Sequence, residues 1–212
     1  IRSGQTPSAL HNNCSGKHAG MLATCRHLGE PTRGYIAPDH PAQRRIASVL
    51  EAMYGESLAE APRGIDGCGL PQIGISLAAL ARAFARLGAP DALAPPRAEA
   101  CRRIGRAMVA HPFMVSGHGR FCTEAMEIAA GKVILKTGAE GVYVAAIPAR
   151  AIAIALKIED GAARAAEVAM AALLDRHAGL DGAERASLGR LLRRPVCSVA
   201  GHKVGEIAPA AF

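Results

Sequence analysis

The chain has 212 residues, half of them apolar, with no low-complexity tract, which suits one domain with or without a subdomain and excludes a disordered chain. No uninterrupted apolar run approaches the roughly 18–20 residues of a membrane span, and the longest candidate, residues 145–158, is broken by Pro148, Arg150 and Lys157. The formal charge is +7, but the basic residues fall in scattered pairs (Arg44-Arg45, Arg102-Arg103, Arg193-Arg194) without interleaved aromatics, which argues against a nucleic-acid groove.

No secretion pattern opens the chain, so the expected location is cytoplasmic. Six cysteines (14, 25, 68, 101, 122 and 197) form no C-x-x-C pair and are expected to be reduced and mostly buried. The opening residues, Ile1 to Pro7, have linker composition, so a preceding segment is expected.

In chain order, Ser15 to Leu28 is predicted helical and ends at Gly29. Pro41 to Tyr54 repeats Ile46, Val49, Leu50 and Met53 at helical spacing and stops at Gly55. Ile73 to Leu87 carries a stripe of Ile73, Leu77, Leu80, Phe84 and Leu87; Arg97 to Ala110 and Thr123 to Ala130 complete the helical part. Then "VILKT" (133–137), "GVYVAAI" (141–147) and "AIAIALKI" (151–158) read as strands. Their connections are too short for a parallel crossover, so an antiparallel meander is predicted. Helices over Ala162 to His177 and Ala183 to Leu192 follow, and "PVCSVAGHKVGEI" adds a short strand.

The fold class expected is α+β, helices packed on an antiparallel sheet. Residues 1–131 form a mainly helical region with a candidate metal site. Residues 132–212 form the meander with C-terminal helices, the two making one structural domain. Apolar residues on both faces of three strands call for more sheet and more cover, so further N-terminal strands are expected.

Three stretches carry chemistry. Lys136-Thr137-Gly138 is a triplet that borders active sites in penicillin-binding proteins and serine β-lactamases. A lysine leaving an apolar strand is expected to be partly desolvated, and so a better base or a fixed cation, although a strand-end lysine is commonly structural. No serine here has a lysine three residues later; Cys14-x-x-Lys17 does have that spacing, one helical turn apart. A helix N-terminus and Lys17 are expected to lower the Cys14 pKa. Cys14 therefore reads as a nucleophile, as a metal-ready thiolate, or as a buried cysteine beside a cap formed by Asn12 and Asn13. The glycine-flanked Cys68 of "GIDGCGLPQ" supplies a second thiol for a three-ligand zinc site, with His18 or His11 as ordinary nitrogen donors. In "GHGRFCTEAM", Arg120 is suited to a carboxylate, and Thr123 to capping the next helix.

Taken together, "HNNCSGKHAGML", "HLGEPTRGYIAPDHPAQRR", "DGCGLP", "GRF-T", "KTGAEGVYVAAIP" and "ALKIEDGAARAAEVA" resemble the L-asparaginase II family over nearly the whole chain. The resemblance implies a fold like that of serine β-lactamases and glutaminases, and hydrolysis of L-asparagine to aspartate and ammonia. It further implies a zinc ion held by Cys14, Lys17 and Cys68, with Lys136 catalytic and Cys122, Lys17, Thr137 and Gly138 binding substrate. A homodimer is implied, with no nucleic-acid or membrane partner. The family's Ser-x-x-Lys nucleophile and its helix lie outside these residues, so this chain is expected to be incomplete by itself. The alternative is a catalytically incomplete, zinc-stabilised ligand-binding protein of the same fold.

Overall fold

The computed structural model describes residues 4 and 6–210, which cluster into two compact units, Ile1–Ile75 and Ser76–Phe212. In the first, helix α1 (Ser15–His27) closes at Gly29, whose φ of 68° suits glycine, and buries Cys25. Helix α2 (Pro41–Tyr54) has proline in its first turn, the His40 ring accepting from the Ala42 amide at 3.1 Å, and Gly55 left-handed at its end. Buried Gln43 ties α2 to the loop after α1 by donating to the Tyr35 carbonyl at 2.8 Å, and Arg45 pairs with Glu30. A short antiparallel hairpin, β1 (Arg63–Ile65) and β2 (Pro71–Ile73), completes the unit.

That hairpin corrects the predicted third helix. Ile73 pairs with Arg63 in the ladder, and helix α3 (Leu77–Gly88) begins only after Ser76, whose hydroxyl accepts from the Ala79 amide at 3.0 Å. Helix α4 (Pro95–Ala110) follows the expected course, then an unpredicted single turn, α5 (Pro112–Ser116), leads to α6 (Phe121–Ile128). Thr123 does not cap α6. It lies inside the helix, buried, and its hydroxyl donates to the Gly117 carbonyl at 2.7 Å, holding the preceding turn.

The predicted meander is present: β3 (Ile134–Thr137), β4 (Val142–Ile147) and β5 (Ile152–Lys157) pair antiparallel in that order. The architecture is therefore α+β, with small antiparallel sheets among the helices. Alternation sends Leu135, Tyr143, Ala145 and Ile147 to one face, where they join a core with Phe121, Met126, Met170 and Leu174 from α6 and the next helix, α7 (Ala163–His177). On the other face Ile134 Cδ1 lies 3.0 Å from where a Cβ on Gly105 would sit, and Ala146 Cβ lies 2.9 Å from the Cβ position of Gly88. Both faces are thus covered within the second unit itself, by α3 and α4 on one side and α6 and α7 on the other.

The close approach at Gly88 yields a test. Alanine for glycine in a helix ordinarily stabilises by about 1 kcal/mol, but here the added methyl collides with the sheet. Gly88→Ala is expected to lower stability by about 1 kcal/mol and Gly88→Leu by about 3, measured by urea unfolding; a gain for alanine would contradict this packing.

The chain continues through α8 (Gly182–Leu188), capped reciprocally by Asp181 and Glu184, whose two side-chain–backbone bonds measure 2.9 and 2.7 Å. The single strand predicted near the end is a hairpin, β6 (Arg194–Cys197) and β7 (Lys203–Ile207), tied to α7 by an Arg194–Glu167 ion pair. Among the described residues no helix is long and apolar enough to cross a membrane.

Candidate functional site

The first unit gathers Cys14, Lys17 and Cys68. Asn12 Oδ1 accepts from the Cys14 amide at 2.7 Å, so the asparagine fixes the turn that sets Cys14 at the N-terminus of α1, while Cys14 itself occupies the cap position. Lys17 follows one turn later. Cys68 is carried by the turn joining β1 to β2, which is closed by Asp66 N–H to the Leu70 carbonyl and Gly69 N–H to the Asp66 carbonyl, both 2.8 Å. Gly69 has φ +86°, a conformation that a side chain would strain. Two elements distant in sequence thereby bring the Cys14 and Cys68 thiols near enough to influence each other's ionisation.

Asp66 organises the cluster, and the sequence reading passed over it. Its carboxylate lies 3.8 Å from Lys17 Nζ, accepts from the Cys68 thiol at 3.6 Å and from Gln72 Nε2 at 3.3 Å, and accepts from the Gly67 amide at 2.7 Å. The Gly67 amide, with Cys68 and Lys17 adding, holds the Asp66 pKa below the ordinary aspartate value. The available signal was its position two residues before Cys68 in a glycine-flanked turn, which places both side chains together.

The expected lowering of the Cys14 pKa is not found. Desolvation pushes it up, the Cys68 thiol and the Asp66 charge push it further, and Lys17 offsets only part. A free, activated nucleophile at Cys14 is the poorer reading of this environment. Of the ordinary nitrogen donors, His11 Nδ1 accepts from the Ser8 amide at 2.9 Å and His18 Nδ1 lies 2.6 Å from the Tyr35 hydroxyl. Among the described residues no three His, Cys, Asp or Glu side chains are gathered to hold a metal ion; the assembled set is two thiols with a lysine. A recess of about 480 Å³, lined by Asn12, Ser15, His18, Tyr35 and Cys68 among others, is large enough for an amino acid.

The second unit positions Lys136, Thr137 and Gly138 at the end of edge strand β3. Lys136 is exposed, its Nζ donating to the Thr137 carbonyl at 2.7 Å, so the partial desolvation expected of it is absent. Gly138 turns the chain where a Cβ would sit 3.2 Å from Val142 Cβ, and its amide donates to the Val142 carbonyl at 2.7 Å.

Cys122, from α6, is only 1% exposed beneath this strand. The Thr137 backbone, the Ser116 side chain and the Lys136 charge all favour its ionised form. Desolvation outweighs all three and pushes its pKa up to about 11. Tyr143, paired with Thr137 across the ladder, is likewise pushed up to about 12 by burial, and its hydroxyl donates to Glu167 at 3.4 Å. Ser116, Tyr143 and Glu167 surround the lysine strand, and the sequence reading named none of them for a site.

A raised thiol pKa keeps Cys122 protonated, and its stabilising contribution is complete below the unfolded value near 9, then fades as pH rises through about 11. Thiol labelling is expected to modify exposed Cys197 first and leave Cys122 intact at neutral pH until the protein unfolds. Mass mapping of the labelled cysteines checks the order; early modification of Cys122 would contradict its burial.

No curated protein matches the chain. The family model described as L-asparaginase II matches residues 1–209, nearly its full length. On that match the chain belongs to the L-asparaginase II family.

Proposed function

We propose that the protein hydrolyses the side-chain amide of L-asparagine to L-aspartate and ammonia. The observation that carries this reading is the family match over residues 1–209, which spans both the thiol cluster and the lysine strand. The attacking hydroxyl is a serine outside these 212 residues, since no serine here has lysine at the third position after it. Its attack on the amide carbon gives a tetrahedral intermediate; ammonia leaves with a proton, and water then cleaves the ester to release aspartate. Lys136 holds or moves the proton at Nζ, and Thr137 and Gly138 present the backbone edge along which substrate lies. Cys122 packs next to that edge, buried beside the Thr137 backbone.

The donors of the thiol cluster fit zinc. Two neighbouring thiols with an amine beside them suit a tetrahedral site, in which thiolates bind zinc at about 2.3 Å. Cys14, Cys68 and the deprotonated amine of Lys17 hold the ion, and Asp66 orients Lys17 and Cys68 through the contacts above. When bound, zinc supplies a fixed positive charge that positions the amino-acid substrate and leaves the bond-breaking step to the serine and Lys136. The reading also includes a serine β-lactamase-like or glutaminase-like fold, a homodimer and a cytoplasmic location.

The test is ammonia release by the full-length protein with L-asparagine or L-glutamine as substrate. Release from asparagine is expected. No release from either amide, in protein that carries the Ser-x-x-Lys segment and zinc, would overturn the proposal.

A further inference from the structure

The second unit holds a recess of about 260 Å³ with no part in the chemistry above. Four guanidinium groups line it, from Arg120, Arg190, Arg193 and Arg194, together with the carboxylates of Glu124 and Glu167. The lining therefore carries two more positive charges than negative ones. The acids present are divided between partners. Glu167 pairs with Arg194 through Oε2 while its Oε1 accepts from the Tyr143 hydroxyl at 3.4 Å. Glu206, which pairs with Arg193, also takes Lys203 at 2.9 Å. Glu124 reaches Arg190 at 3.4 Å. Arg120 has no acidic partner among the described residues.

We propose that this recess binds a small oxyanion, one carrying carboxylate or phosphate oxygens. Guanidinium forks match both groups in geometry and bind them in pairs of parallel hydrogen bonds. A concave surface with excess positive charge concentrates anions, and Val168 and Leu191 add apolar lining. Three of the four arginines have an acid, Glu206 is shared with Lys203, and Arg120 is left to meet an anion. The proposal stands apart from asparagine hydrolysis and does not depend on it.

Titration calorimetry with inorganic phosphate and with succinate, at low and at physiological salt, tests the site. Saturable binding of one ion per chain by either probe is expected and assigns the chemistry: phosphate, dicarboxylate or both. The Arg120→Gln, Arg190→Gln double variant is expected to weaken binding about tenfold or more. Glu124→Gln removes the acid that competes for Arg190, so it is expected to tighten binding severalfold, an effect that misfolding cannot produce. Arg103→Gln, on α4, leaves binding unchanged. Absence of saturation with both probes, or equal affinity in wild type and in the double and Glu124 variants, would overturn the site.

Discussion

The Lys136→Ala substitution is expected to lower kcat/KM for L-asparagine by about 10³-fold or more while barely moving the melting temperature. The two halves of that expectation have separate physical grounds. Lys136 is exposed at the end of an edge strand and its Nζ bonds only to the carbonyl of the next residue, so truncating it opens no cavity and leaves no buried partner. Surface changes of that kind stay within about 0.5 kcal/mol, or about 1–2 °C in a domain of this size. An activity loss without a stability loss therefore reports chemistry at Nζ. Lys136→Arg divides the possible roles, because arginine retains the charge but does not release its proton near neutrality. A fixed cation survives that change with much of the activity; a proton carrier does not. Turnover by Lys136→Ala equal to wild type would remove the lysine from the mechanism.

Legibility followed the range of the interactions involved. The meander could be read because β-branched runs, tight turns and strand alternation are local properties, and its three strands agree with the expected ranges to within one residue at every end. Helix α2 was read to the residue because Pro41 and Gly55 mark its ends by backbone conformation alone. The β1–β2 hairpin escaped because its strands are three residues each, β1 is wholly exposed, and proline opens β2. Ile73 happened to fall four residues before Leu77, on the stripe of the helix that follows, so periodicity extended that helix past its Ser76 cap.

The same distinction governs the site. Cys14 and Lys17 could be paired from a helical turn, and Cys68 from its glycine-flanked loop. What sets the thiol's ionisation is Cys68 and Asp66 brought against Cys14 by folding, and those contacts span more than fifty positions. Counting only the helix N-terminus and Lys17 consequently gave the wrong sign. For Lys136 the error lay in exposure: an apolar strand suggested burial, but only Ile134 and Leu135 of β3 are buried and Lys136 is exposed.

Replacing Cys14 and Cys68 together with serine is expected to abolish zinc binding, taking purified protein from about one zinc per chain to none. Serine preserves size and hydrogen bonding but not the thiolate that a three-ligand site with an open fourth position requires. Changes to residues that orient metal ligands cost about 10- to 100-fold in affinity, so Asp66→Asn is expected to fall in that range and either single cysteine variant below it. Lys17→Met then decides the least ordinary assignment. If the amine is a ligand, the methionine variant loses zinc as severely as a cysteine variant. If Lys17 serves only as the ion-pair partner of Asp66 at 3.8 Å, its loss is no worse than that of Asp66→Asn. Elemental analysis and competitive chelator titration across the four variants measure these ranks. Equal zinc content in the double cysteine variant and its parent would dissolve the ligand set, and the positioning charge proposed for the substrate would go with it.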